Sequence, residues 1–328
     1  MKIHSMNCAT FCPPGFSQLK REVEKFEDSK FSQKAKSFFE KTGILEKISS
    51  IPSLKEKLEN LKNLGQDYLQ VDLEKEKIFS EEFKELVTNV ILIETKNRLI
   101  MLDTGIGKKQ ISSKNDSLRN IMSGFLTGLK YDESETAHEQ IKKLGFSPTD
   151  VSDVILTHMD IDHVGGLSDF PQARAHLFQA ELDSANNPST TYEKKRFMTE
   201  LWQSHKDFCL YQNKGDDFHG FHLTPLKDIQ EELYLLDLFG HTKGQAGLFI
   251  KEKNTVFAGD SFINQIQMEE DYSPLSIRFY KKMTTTDEAG LNRTLNGLKK
   301  LCAEGIHVCC SHDKNHFLAM KDYLEAEV

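Results

Sequence analysis

The spacing of apolar residues divides the chain into parts of different character. Residues 1 to 9 read as a short opening strand, which Pro13, Pro14 and Gly15 break. From Ser17 to about Glu85 the sequence is rich in Lys and Glu, with apolar residues at helical intervals: Leu19, Val23, Phe26, then Phe31, Ala35, Phe38 and Phe39, with Gly43 as the stop. A second helix is signalled by Ser53 as N-cap, Glu56 three residues on, the stripe Leu54, Leu58 and Leu61, and Gly65. The charge runs between these stripes read as solvated helix faces.

From Val87 the pattern becomes strand, turn, strand. VTNVILIET and RLIMLD flank a turn at Lys96 and Asn97. A helix near 134–144 closes at Gly145, and the strands VSDVILT and ARAHLF follow. An aromatic, loop-rich stretch covers 186–221. Beyond it come the strands ELYLLDLF, GLFIKE and NTVFAGD, a helix over about 287–303 and the strand IHVCC. Many strands are joined by hairpin-length turns, so the pattern predicts an α+β protein, a sheet sandwich covered by helices, and not a doubly wound sheet.

Composition narrows the functions open to it. At 328 residues, 38% hydrophobic and 28% charged, the chain is an ordinary globular one, and its net charge of −8 disfavours a protein whose main task is to hold nucleic acid. The N-terminus lacks a secretory pattern and no apolar run approaches the roughly 20 residues of a membrane span, so the expectation is a cytoplasmic protein with no membrane partner. Six cysteines do not suggest disulfides, since Cys309 and Cys310 adjoin in a strand and Cys302 sits in a helix. Cys8 and Cys12 are spaced for a metal clip, but no second pair follows, so they read as reduced thiols near a strand end.

The segment ILTHMDIDHVGGL, residues 155–167, carries the chemistry. An apolar strand runs into His158, Asp160, Asp162 and His163, and a glycine pair then lets the backbone turn. Metal sites need several N and O donors converging on one point, which a loop leaving a strand end supplies. Three more candidates each follow a strand: His241, Asp260 and His312. His307 falls out of phase with His312 and is rejected as a ligand. His138 reads as a surface residue, and His219 and His222 as hydrogen-bonded histidines in a segment expected to overhang the site. The aromatics Tyr192, Phe197, Trp202, Phe208, Tyr211 and Phe218 fit a substrate pocket and a core equally well.

This series resembles the metallo-β-lactamase superfamily, in a branch whose loop reads His-x-Asp-x-Asp-His. LDTG at 102–105 resembles the family's first motif, and IHSMNCATFCPPG the opening of that branch. The resemblance implies one domain, an αββα sandwich over 1–328, with 17–85 as a helical insertion that acts as a lid or a homodimer surface. It implies two divalent ions: His158, Asp160 and His241 on the first, Asp162, His163 and His312 on the second, Asp260 bridging. Asp103 would orient a ligand imidazole, as would Thr157 and Asp313. Asp160 stands where the common signature has His, which hardens the first position and adds iron or manganese to zinc as candidates. The implied activity is hydrolysis of a small-molecule ester or lactone, with Asp162 moving a proton. Phosphodiester hydrolysis and a non-catalytic metal-binding or interaction role are the alternatives.

Overall fold

The structure, a computed structural model, describes residues 1–12, 85–112, 128–269 and 275–325. Apart from Glu85, the helical insertion expected over 17–85 lies outside them. The chain divides into two units, one of Met1–Cys12, Glu85–Ser273 and Met283–Val328, the other of Pro13–Lys84 and Pro274–Lys282. The described part of the second unit lies in the helix Leu275–Thr284.

The first unit is built on two sheets. One contains β1 (Lys2–Phe11), β2 (Leu86–Glu94), β3 (Leu99–Leu102), β4 (Leu129–Lys130), β5 (Val151–Ile155), β6 (Arg174–Phe178) and β7 (Phe208–Tyr211), in the order β4-β1-β2-β3-β5-β6-β7. The other contains β8 (Asp216–Phe218), β9 (Phe221–Pro225), β10 (Leu233–Asp237), β11 (Ala246–Ile250), β12 (Thr255–Phe257) and β13 (His307–Cys309), in the order β13-β12-β11-β10-β9-β8. Five helices matter here: α1 (Ala137–Lys143), α2 (Gln179–Asn186), α3 (Thr191–Arg196), α4 (Glu288–Ala303) and α5 (Lys314–Glu325).

Side-chain alternation along the strands creates three apolar layers. On β2, Ile91 and Ile93 join Ile100, Leu102 and Ile155 against Leu235, Leu248, Ile250 and Phe257 of the second sheet, which is the core between the sheets. Val90 and Leu92 point the other way and pack with Met101, Val154 and Leu177 under Ile141 of α1 and Leu182 of α2. On the far side, Phe249, Val256 and Val308 receive Leu298 and Leu301 of α4. The result is the expected αββα sandwich, and each of these buried side chains contributes roughly 1.5–3 kcal/mol relative to exposure.

The loop-rich reading of 186–221 is corrected in part: α3, β7 and β8 fall in it, and β9 begins at its end. These elements are short and their apolar residues irregularly spaced, so local period does not reveal them. The aromatics resolve toward core: Phe197 and Trp202 are buried in the layer under α2, with Phe208 packed against it. Tyr211 lies between the sheets. The side chain of Tyr192 is outside the described set. Helix α5, also unforeseen, brings Met320 and Leu324 into the inter-sheet core. Among the described residues no helix is long and apolar enough to cross a membrane.

A chain of polar groups crosses the inter-sheet core. Arg98 donates to Asp153 at 2.7 Å, Asp153 pairs with His176 Nε2 at 3.0 Å, and His176 Nδ1 meets the Tyr211 hydroxyl at 2.8 Å. An ionised Asp153 can only accept, so His176 Nε2 donates to it, and the Tyr211 hydroxyl also accepts from the Lys227 amide. Burial would raise the Asp153 carboxyl, but hydrogen bonds from His176, Ser152 and Arg98 outweigh it and hold the pKa at about 2. A carboxyl held below its ordinary value stabilises the fold above pH ~4, and that contribution is lost as pH falls toward ~2. Asp153→Ala is therefore expected to lower unfolding free energy by about 3 kcal/mol in denaturant titrations at pH 7, with the difference from wild type shrinking as pH approaches 2. A constant difference across that range would contradict this account.

Candidate metal centre

All seven candidate donors lie on loops that follow the carboxyl ends of strands. His158, Asp160, Asp162 and His163 follow β5, the last three in or next to a one-turn helix, Ile161–Val164. His241 follows β10, Asp260 follows β12 and His312 follows β13. Because β12 and β13 are parallel, Asp260 and His312 emerge side by side.

The seven form three overlapping groups, His158–Asp160–His241, Asp162–His163–His312 and His158–His163–Asp260, with the donor atoms of each group within 4.8 Å of one another. Asp260 lies between the first two. Its Oδ2 is 3.0 Å from His312 Nε2, 3.7 Å from His241 Nε2 and 4.0 Å from His158 Nε2, while Oδ1 is 3.2 Å from His163 Nε2. Asp160 is 3.2 Å from His158 and 3.1 Å from His241, and Asp162 is 3.6 Å from His163 and 3.5 Å from His312. The four imidazoles and Asp260 are buried, whereas the side chains of Asp160 and Asp162 are 13% and 14% exposed, so solvent reaches the cluster past these two carboxylates.

Groups behind the cluster fix which imidazole nitrogen faces it. Asp103 accepts from His163 Nδ1 at 2.8 Å and from the Thr157 amide and hydroxyl. The Thr157 hydroxyl, having donated to Asp103, accepts from His158 Nδ1 at 2.9 Å. His312 Nδ1 donates to the Val87 carbonyl at 2.7 Å. Three rings thus commit their Nδ1 hydrogen to a partner behind the cluster and present Nε2 to it, as metal ligation requires. Asp103 adopts φ of 57°, a conformation costly for a non-glycine residue and here enforced by these hydrogen bonds.

The glycine pair does not work as the sequence suggests. Gly165 and Gly166 have ordinary helical-region dihedrals, with φ of −56° and −83°. Glycine is needed for close approach, since a Cβ on Gly166 would lie 2.5 Å from the Thr104 carbonyl oxygen. Asp313 is also corrected: its carboxylate accepts from the amides of Gln265 and His316 and orients backbone instead of an imidazole. His307 packs against Tyr323 with ring centroids 4.5 Å apart and ring planes tilted by 49°. His219 pairs with Glu304 and His222 with Asp237. Neither Cys8 nor Cys12 belongs to a metal-capable group among the described residues, and burial holds the Cys8 thiol well above its ordinary pKa.

Two residues of the site escape sequence reasoning. Glu181 on α2 is fully buried and accepts from the Met159 amide at 2.9 Å and the Gly244 amide at 3.1 Å, tying the loop of His158 to the loop of His241. A Cβ at Gly244 would sit 2.2 Å from the Glu181 nitrogen, so the loop can reach α2 only with glycine there. Burial raises the Glu181 carboxyl. Arg196, the last residue of α3, reaches Asp160 with Nε at 2.5 Å and Nη2 at 2.6 Å. No spacing marks either residue, because each lies in a segment without a candidate ligand.

The residues present fit divalent metal. His158 Nε2, His163 Nε2 and Asp260 Oδ1 are buried and lack any partner in hydrogen-bonding geometry, a costly state for three polar atoms aimed at one space unless a cation joins them. Electrostatics agree. Burial would raise Asp260, yet His312 and His163 hold it well below its ordinary range. Burial would lower His312, yet Asp260 and Asp162 push it up to about 9.

Sheet sandwich and donor cluster together define a metallo-hydrolase of the metallo-β-lactamase type. Residues 84–301 match the metallo-beta-lactamase superfamily, and the chain belongs to it. A probable metallo-hydrolase of Mycobacterium tuberculosis is 27% identical over 244 residues, which cover 72% of this chain and 78% of that protein. The N-acyl homoserine lactonase AttM of Rhizobium radiobacter is 37% identical over 132 residues, 38% of this chain and 45% of that one. Solved structures show the same fold. An N-acyl homoserine lactone hydrolase with N-hexanoyl-L-homoserine at its catalytic metal center aligns with a TM-score of 0.55 at 18% identity, covering 72% of this chain and 84% of that one. A probable metal-dependent hydrolase from Staphylococcus aureus aligns with a TM-score of 0.56 at 15% identity, covering 95% and 89%.

Because Asp260 reaches donors of both halves, Asp260→Ala is expected to lose most of the metal bound by wild type, measured by elemental analysis of purified protein. Asp103→Ala, which frees the imidazole of His163, should weaken metal affinity about 10- to 100-fold while retaining the fold. His307→Gln should leave metal content unchanged. Wild-type metal content in the Asp260 variant would overturn the assignment.

Proposed function

We propose that this metal-dependent hydrolase opens an ester or lactone of a small, weakly charged molecule. The observation that carries the reading is the convergence of seven donors with orphaned imidazole nitrogens on one solvent-accessible point, and the relatives that act on N-acyl homoserine lactones narrow the substrate class. Two divalent ions held by His158, Asp160, His241, Asp162, His163, His312 and Asp260, with zinc first and iron or manganese as alternatives, would activate a water and polarise the carbonyl. Asp162, more exposed than the imidazoles beside it, would take the proton of the attacking water and return it to the departing alkoxide. Asp103, Thr157 and the Val87 carbonyl hold the imidazoles in one tautomer through the reaction.

Arg196 offsets the charge of Asp160, and Phe197 and Phe208, which the sequence left open between a substrate pocket and a core, pack in the core. A less anionic edge favours phosphodiesters as the second reading. Metal-loaded protein is expected to give a higher kcat/KM for acyl lactones than for bis(p-nitrophenyl) phosphate, and Asp162→Asn should lower kcat at least about 100-fold on the lactone. A tenfold preference for the phosphodiester, about 1.4 kcal/mol of transition-state stabilisation, would select the second reading.

A further inference from the structure

The two halves of the cluster differ in how their donor atoms are satisfied. Each half keeps an orphaned imidazole nitrogen, His163 Nε2 beside Asp162 and His312 and His158 Nε2 beside Asp160 and His241, and Asp260 Oδ1 between them also has no hydrogen-bond partner, so the difference lies in the remaining donors. The half formed by His158, Asp160 and His241 already holds a cation belonging to the chain. Arg196 spans both Asp160 oxygens, places Nη2 2.7 Å from His241 Nε2 and donates Nη1 to the carbonyls of His241, at 3.3 Å, and Thr284. A guanidinium has no lone pair to offer, so His241 Nε2 must be the acceptor, and its lone pair is directed at Arg196. The atoms the guanidinium engages, both Asp160 oxygens and His241 Nε2, are the ones a metal ion in that half would need.

Arg196 is anchored for this role. Its side chain is 5% exposed, and its helix begins with a reciprocal cap between Thr190 and Glu193 that Lys243 reinforces at 2.7 Å. Charge favours the arrangement too. One divalent ion with the guanidinium balances Asp160, Asp162 and Asp260, whereas a second ion must enter beside a fixed positive charge.

We propose that Arg196 is a built-in competitor for the first metal position: the Asp162–His163–His312–Asp260 half fills first, and the His158–Asp160–His241 half fills only when the guanidinium releases His241. The inference rests on reading the cluster as a metal centre and adds an order of loading and its cause. Its consequence is unequal affinity, with the chain's own arginine setting the second step.

The test is calorimetric titration of the metal-stripped full chain with Zn(II), repeated with Mn(II). Wild type is expected to bind one equivalent tightly and a second at least about tenfold more weakly. Arg196→Gln should tighten the second step about tenfold or more and leave the first unchanged, which also reports that the variant is folded. Arg196→Lys keeps the charge but not the fork and should fall between them. His163→Ala should abolish the tight step and leave the weak one. Two indistinguishable wild-type steps, or an unchanged second step in Arg196→Gln and Arg196→Lys, would overturn the inference and leave the metal centre standing. No binding by wild type would overturn the metal centre and this inference with it.

Discussion

Asp160 and Asp162 each lie within 3.6 Å of two of the four imidazoles and Asp260 within 4.0 Å of all four, and carboxylates so close together can stay ionised in a poorly solvated pocket only if positive charge shares it. This requirement orders much of the molecule. It explains why imidazoles surround each carboxylate, why two buried imidazole nitrogens face inward without a partner, and why an arginine with little solvent contact closes one side. The sandwich meets the requirement through topology. Strand ends from two sheets open onto one edge, so donors far apart in sequence converge there.

Convergence alone would not fix protonation. Asp103 occupies a strained backbone conformation and gathers Thr157 and His163, while Thr157 passes the restraint on to His158. Glu181 acts one step further out by holding the amides of Met159 and Gly244, so a shift of α2 would move His158 and His241 together. These contacts join groups of the chain itself, which places part of the cost of organising the site in folding instead of in metal binding.

The sandwich was legible because its strands alternate or run apolar and its long helix, α4, keeps a helical period. The seven donors were legible because each follows a strand and the loop after β5 packs four of them into six residues. Arg196 and Glu181 were not, since their partners come from elements 36 and 22 residues or more away and nothing in their own neighbourhoods is periodic. The glycine pair shows a different limit: its presence was informative, but the sequence could not tell a demand for unusual dihedrals from a demand for space. Asp313 shows another, a carboxylate beside a ligand that serves backbone amides because a helix starts there.

His312 is tied to Val87 both by its ring and through the backbone, and Asn89 donates to the carbonyl of Ser311, so the loop after β13 is stitched to β2 of the opposite sheet. The two ends of that stitch are 225 residues apart. During synthesis, His158, Asp160 and His241 leave the ribosome well before His312 does. The growing chain therefore carries the arginine-guarded half of its centre while the other half is still missing a ligand, and the last strand to arrive completes the pocket and joins the sheets in one event.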